Sequence, residues 1–123
     1  MTSAKKNKIL IIDNEPAMTM MVTMYLENNG FEVETARGSV IANKKILSKD
    51  YDVILTDLNL PRSDDMDFYE EIRMREPSTA KKFIFMTESN TTSWLKKVEE
   101  GKQPLLHKPF KLKSLMRAIK SIT

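Results

Sequence analysis

Short apolar runs that each end at a polar residue are the feature that most constrains how this chain can fold. Four such runs lead to Asp13, Asp57, Thr87 and Lys108. Each run is too short for a helix and has the composition of a buried strand. Segments with the apolar spacing of helices separate the runs, so strands and helices alternate along the chain. This alternation predicts a parallel α/β sheet with helices packed on both of its faces.

The apolar patterns give bounds for the individual elements. The predicted strands cover residues 8–12, 31–35, 51–56, 82–86 and 105–107. The predicted helices run from Pro16 to a stop signal at Asn28-Asn29-Gly30, and over residues 40–47, 66–75, 92–100 and 112–122. The spacing in the first helix predicts a buried stripe made of Met18, Met21, Val22, Tyr25 and Leu26. This helix cannot bury all four of its methionines on one stripe, because Met20 and Met24 fall outside it.

Length and composition limit the protein to a small set of classes. With 123 residues, 41% of them apolar and 30% charged, the chain fits one globular domain over residues 8–123, preceded by a flexible lead at residues 1–7. No cysteine is present, which excludes disulfides and thiolate metal sites. No apolar run approaches the roughly 20 residues of a membrane span, and no signal peptide is visible, so we expect a cytoplasmic protein.

Charge gives little reason to expect nucleic-acid binding. The formal net charge is +3, but acidic residues interrupt the scattered lysines and arginines. We therefore do not expect direct contact with DNA or RNA.

The polar residues at the ends of the four runs predict a functional site. The carboxyl ends of parallel strands lie at one edge of a sheet, which is where open α/β sheets bind their ligands. Two carboxylates, a hydroxyl and an ammonium would then converge at Asp13, Asp57, Thr87 and Lys108. Carboxylate oxygens suit a hard divalent cation, and an ammonium suits a phosphoryl oxygen.

Four segments of the chain resemble the response regulator receiver domain. They read ILIIDNEP at residues 9–16, DVILTDLNLP at 52–61, MT at 86–87 and KPF at 108–110. The resemblance covers the whole chain and implies a flavodoxin-like, three-layer α/β/α fold with strand order 2-1-3-4-5. It also implies two-component signal transduction through a phospho-accepting aspartate, which makes residues 8–123 a receiver domain.

The resemblance and the chemistry of the side chains assign roles to the site residues. Asp57 would be the nucleophile that accepts the phosphoryl group, and Thr87 and Lys108 would bind phosphoryl oxygens afterwards. The residues that would hold Mg²⁺ are Asp13, Asn14, Asp57 and, through its backbone carbonyl, Asn59. Two simpler interpretations stay open, namely that Asp57 is an ordinary turn residue and that Asp13 caps the helix at Pro16.

Several residues depart from the pattern of the family. Asn14 stands where receivers usually have a second acid, which predicts weaker Mg²⁺ binding. Glu88 either overhangs the access to Asp57 or points to solvent. Leu105 replaces an aromatic residue whose rotation often reports activation, so that part of the switch must be absent or replaced. The isomer of the Lys108–Pro109 bond stays open, and His107 is assigned a packing role.

Two functions remain open at the level of sequence. The first is a switch, not an enzyme, that takes its phosphoryl group from a histidine kinase or phosphotransfer protein. Its output would be the binding of an effector protein to the face formed by residues 92–100, 105–107 and 112–122, which includes Trp94. The second is a pseudo-receiver that binds partners independently of phosphorylation. Because no effector segment is visible, we expect output through a docked partner, and exposed methionines of the first helix would suit the docking of the donor.

Overall fold

The computed structural model describes residues 7–57, 64–88 and 101–123, except for the side chains of residues 64–67. The strands are β1 (Lys8–Ile12), β2 (Glu32–Ala36), β3 (Val53–Asp57), β4 (Phe83–Thr87) and β5 (Leu105–His107). The helices are α1 (Pro16–Asn28), α2 (Ser39–Ser48), α3 (Asp64–Arg75), α4 (Pro77–Ala80) and α5 (Leu112–Ile122). The helix predicted over residues 92–100 lies outside the described residues, as do residues 1–6 of the predicted lead.

All five strands of the described chain form one parallel sheet in the order β2-β1-β3-β4-β5. This order confirms the predicted doubly wound topology. Asp57 pairs with Met86, and Thr87 pairs with His107. Asp57 and Thr87 are therefore the last residues of β3 and β4, whereas the apolar pattern ended both strands one residue earlier.

The sheet carries an apolar core on each face because alternate residues of a strand point to opposite sides. Ile9 and Ile11 of β1 lie with buried residues of α1 and α5. Leu10 and Ile12 lie on the other face with buried residues of α2 and α3. This arrangement confirms the predicted three layers and leaves the carboxyl edge of the sheet open for a site.

The structure differs from the sequence predictions in two details of the helices. Met21 is 55% exposed, because it lies at the margin of the α1 stripe, whose fully buried members are Val22 and Leu26. The short helix α4 was not predicted, although Pro77 occupies one of its first two positions, where proline suits a helix start. Among the described residues, every helix is too short or too polar to cross a membrane.

Candidate functional site

Three of the predicted site residues meet at the carboxyl edge of the sheet. Asp13 follows β1, Asp57 ends β3 and Lys108 follows β5. Lys108 Nζ donates a hydrogen bond of 2.9 Å to Asp57 Oδ2 and lies 3.6 Å from Asp13 Oδ2. The side chains of Lys108, Asp13 and Asp57 are only 6%, 0% and 4% exposed. The fold thus buries one ammonium against two carboxylates.

Asp13 is held by the turn that leads into α1. Its backbone N–H donates to the Ala36 carbonyl at 3.0 Å, and its Oδ1 accepts from the Glu15 backbone N–H at 2.9 Å. The N-cap position of α1 belongs to Glu15, so Asp13 shapes the preceding turn rather than capping the helix. Asp13 Oδ2 is buried and accepts no hydrogen bond. This oxygen has unused acceptor capacity for a cation, which is unusual for a buried polar atom.

The close packing of charges shifts two pKa values. Burial raises the pKa of Asp13, and the nearby Asp57 adds to the effect, while the Glu15 backbone N–H and Lys108 oppose it. Burial alone would lower the pKa of Lys108, but the hydrogen bond with Asp57 and the charges of the surrounding acids raise it above its ordinary value. Lys108 is therefore a charged ammonium throughout the neutral pH range.

The other predicted site residues differ in how far the structure places them. Thr87 is buried, and its carbonyl accepts a 2.7 Å hydrogen bond from the Lys108 backbone N–H, which joins the ends of β4 and β5. Asn14 is exposed beside Asp13, in the wall of a groove of about 540 Å³ that Met20 and Met24 also line. Asn59, predicted to offer its backbone carbonyl to Mg²⁺, lies outside the described residues.

Residues around the cluster answer several questions that the sequence left open. The Glu15 carboxylate lies 3.7 Å from Lys108 Nζ, whereas the sequence alone gave no direction for this side chain.

Glu88 is exposed, which favours a side chain that points to solvent. Leu105 packs partly buried against the apolar core. The Lys108–Pro109 bond is cis. His107 is exposed, so the packing role predicted for it was wrong.

The oxygen atoms of Asp13 and Asp57 suit a divalent cation, although two acids are fewer than in a site built from protein ligands alone. In the described ranges, no three histidine, cysteine or acidic side chains are grouped as a metal site. Asp13 and Asp57 nevertheless face the same ammonium, so the fold already holds a positive charge between these two acids. Mg²⁺ is commonly bound by one or two carboxylates and keeps several waters. The two acids, with the unused Asp13 Oδ2, meet that requirement.

Comparison with known proteins gives the family. Residues 9–120 match the response regulator receiver domain, and the chain belongs to this family of two-component signalling proteins. It is 24% identical to a probable chemotaxis protein CheY of Rhizobium etli, covering 99% of this chain and 96% of that protein. It is 27% identical to the transcriptional regulatory protein ResD of Bacillus subtilis, again over 99% of this chain but over only 50% of ResD.

The comparison with solved structures agrees on the fold. The response regulator TrrA of Thermotoga maritima, solved in complex with Mg²⁺ and BeF, has a TM-score of 0.82 at 24% identity, over 95% of this chain and 99% of TrrA. The family and fold inferred from the sequence are thus confirmed. The chain spans about half the length of relatives such as ResD.

Proposed function

We propose that this receiver domain accepts a phosphoryl group on Asp57 in a Mg²⁺-dependent reaction and that the modification changes its binding to an effector protein. One observation carries the proposal. The Asp57 carboxylate ends β3 at the carboxyl edge of the sheet, hydrogen-bonded at 2.9 Å to Lys108 and beside a second buried acid, Asp13. A carboxylate with a phosphate-binding cation in contact is a suitable nucleophile for phosphoryl transfer.

The reaction would form an acyl phosphate. An Asp57 carboxylate oxygen attacks the phosphorus atom of a phosphohistidine, the P–N bond breaks, and the released imidazole keeps the electron pair and takes a proton from solvent. Lys108 turns from the carboxylate towards a phosphoryl oxygen, and the Thr87 hydroxyl donates to another. Each transfer modifies the chain itself, so the proposal describes a switch and not an enzyme.

Mg²⁺ would be held by Asp13 and Asp57, with oxygen atoms of Asn14 and Asn59. When bound, it would offset negative charge on the phosphoryl oxygens. TrrA, which shares the fold, was solved with Mg²⁺ and BeF, and this supports the assignment. The neutral amide of Asn14 supplies less charge than an acid would, so we expect modest Mg²⁺ affinity.

The output would travel through the link between β4 and β5. Phosphorylation replaces the single negative charge of the Asp57 carboxylate with a phosphoryl group that carries nearly two negative charges at pH 7, which attract Lys108 and Thr87. The Lys108 backbone is hydrogen-bonded to the Thr87 carbonyl, so a displacement at either residue is transmitted to the other. The proposed effector surface includes β5 and α5, together with residues 92–100, which the structure does not describe.

The donor would be a histidine kinase or phosphotransfer protein acting in the cytoplasm. Met20 and Met24 are 64% and 58% exposed, as expected for a helix that cannot bury all its methionines. Both line the groove that also contains Asp13 and Asn14. Flexible apolar side chains next to the acceptor site suit a docking surface for the donor.

Intact-mass measurement tests the proposal. The purified chain is incubated with acetyl phosphate and Mg²⁺, and we expect the mass of one phosphoryl group to be added and to disappear with hydroxylamine. Asp57→Asn should not be modified. Asp52→Asn, which changes an exposed acid just before the start of β3, should be modified like the wild type.

Two results would contradict the proposal. Modification of the Asp57→Asn variant would mean that another residue accepts the phosphoryl group. Failure of acetyl phosphate and of the cognate kinase to modify the wild type, with partner binding unchanged in Asp57→Asn, would favour the pseudo-receiver. The observation that favours this alternative is the neutral, exposed Asn14 at a position where receivers usually have an acid.

A further inference from the structure

Glu15 reaches the ammonium of Lys108 from the outer side of the site. Lys108 Nζ lies 2.9 Å from Asp57 Oδ2, 3.6 Å from Asp13 Oδ2 and 3.7 Å from Glu15 Oε2. The two aspartates are buried, whereas the Glu15 side chain keeps 56% exposure. Glu15 therefore lies at the rim, on the solvent side of the position that Lys108 occupies.

Lys108 contacts both carboxylates that the proposed function assigns to Mg²⁺. Its ammonium and a divalent cation repel each other, and the repulsion is strong where water is largely excluded. Lys108 must therefore move away from Asp13 or Asp57 when these acids bind the cation. Its long flexible stem permits this movement, and within the described ranges Glu15 is the other acid that it already contacts.

We propose that Glu15 receives the Lys108 ammonium when Asp13 and Asp57 bind a divalent cation, which makes Glu15 a positioning residue for cation binding. The inference rests on the proposed function, because that function gives Mg²⁺ to the two aspartates. Glu15 is well placed for this role, since its backbone N–H is hydrogen-bonded to Asp13 Oδ1 at 2.9 Å. This bond keeps the start of its side chain next to the buried acid.

The charge of the cluster supports the same role. Three carboxylates and one ammonium leave two net negative charges, which one divalent cation balances. Without Glu15, the bound cluster would carry a net positive charge next to the displaced Lys108. Loss of Glu15 should therefore weaken Mg²⁺ binding, and the loss should depend on Lys108.

Calorimetric Mg²⁺ titrations of Glu15 and Lys108 variants test this dependence. We expect Glu15→Gln to lower the Mg²⁺ association constant about three- to fivefold, the range of a partly exposed ion pair. In a Lys108→Gln background, the same change should have less than about a twofold effect. Glu88→Gln, which removes an exposed charge beside Thr87, is the matched control and should bind Mg²⁺ like the wild type.

A shorter acid gives a second test that leaves Lys108 unchanged. Glu15→Asp keeps the charge but loses the reach of one methylene, so it should weaken Mg²⁺ binding as Glu15→Gln does. Circular dichroism confirms that each variant is folded before titration.

Three results would overturn the inference while leaving the proposed function intact. The first is that Glu15→Gln changes the Mg²⁺ affinity equally with and without Lys108. The second is that Glu15→Asp binds Mg²⁺ like the wild type while Glu15→Gln binds it more weakly. The third is that Glu88→Gln weakens Mg²⁺ binding as much as Glu15→Gln does. Each would reduce Glu15 to a diffuse negative charge. A wild-type chain that binds no Mg²⁺ would overturn the inference together with the Mg²⁺-dependent part of the proposed function.

Discussion

Replacing Lys108 with methionine should destabilise the fold and make its stability depend more strongly on pH. Methionine keeps much of the length and apolar volume of the lysine stem but removes the ammonium. In the described part of the chain, that ammonium is the cation in contact with Asp13 and Asp57. The variant thus separates the electrostatic role of Lys108 from its packing.

The structure sets the size of the expected loss. The side chains of Lys108, Asp13 and Asp57 are 6%, 0% and 4% exposed, so water cannot replace the lost contact. Removal of one partner from a buried ion pair typically costs about 3–5 kcal/mol. That is a large part of the roughly 5–15 kcal/mol that stabilises an ordinary domain. We expect a loss in this range at neutral pH.

The pH dependence follows from the pKa of Asp13. Burial already raises this pKa in the folded protein, and Lys108 is one of the groups that holds it down. Without Lys108 the folded pKa rises further above the unfolded value. When the pKa of a carboxyl is higher in the folded than in the unfolded protein, ionisation of that carboxyl destabilises the fold. The destabilisation begins above the pKa of the unfolded state and grows as pH rises towards the pKa of the folded state. The deficit of Lys108→Met should therefore be largest near neutrality and shrink towards about pH 4.

Urea unfolding at several pH values between about 4 and 8 measures both effects. Lys113→Met is the matched control, because Lys113 is exposed on α5, and its free energy of unfolding should change by less than about 0.5 kcal/mol. A loss below about 1 kcal/mol at neutral pH, or a loss that does not shrink with acidification, would refute the argument that the ammonium compensates buried carboxylates.

Three further predictions concern the backbone, the metal and the donor. Gly30→Ala should cost about 1–2 kcal/mol in urea unfolding, because Gly30 has a φ of +89° at the end of α1; an unchanged midpoint would contradict this. Asn14→Asp should bind Mg²⁺ more tightly in a calorimetric titration, and equal affinities would remove the idea that the amide weakens the site. Replacing both Met20 and Met24 with glutamate should slow phosphoryl transfer from the cognate kinase about tenfold and leave modification by acetyl phosphate unchanged. The control Met74→Glu, at a residue 87% exposed on α3, should slow neither the transfer nor the modification. Equal slowing by the α1 and α3 variants would contradict donor docking on α1.

The sequence predicted the sheet well because its signals are local and mutually consistent. Apolar runs too short for helices marked the strands, and the alternation with helices led to a parallel sheet. Gly30 marked the end of α1 because its left-handed conformation is one that other residues adopt at a cost. The motifs that carry the family resemblance then supplied the strand order, which periodicity alone does not determine.

The site could be predicted only as far as backbone position determines it. The ends of β1 and β3 bring Asp13 and Asp57 together whatever their rotamers. The direction of Glu15 depends instead on the turn before α1 and on the charge of Lys108, which is 93 residues away in sequence but 3.7 Å away in space. Met21 shows the same limit, since a residue at the margin of a helical stripe is buried only if a neighbouring element covers it.

In the proposed function, the demands of folding and of signalling on Lys108 are opposed, and this opposition would let the cluster act as a switch. In the unmodified chain without a bound cation, Lys108 compensates two buried carboxylates, so moving its ammonium away from them costs stability. A phosphoryl group on Asp57 brings more negative charge than the carboxylate it modifies, so Lys108 gains by following it. Because the Lys108 backbone is bonded to Thr87, the β4 and β5 ends respond together. A weaker contact with Asp57 would let Lys108 sample its signalling position without modification, and the buried ion pair suppresses that background.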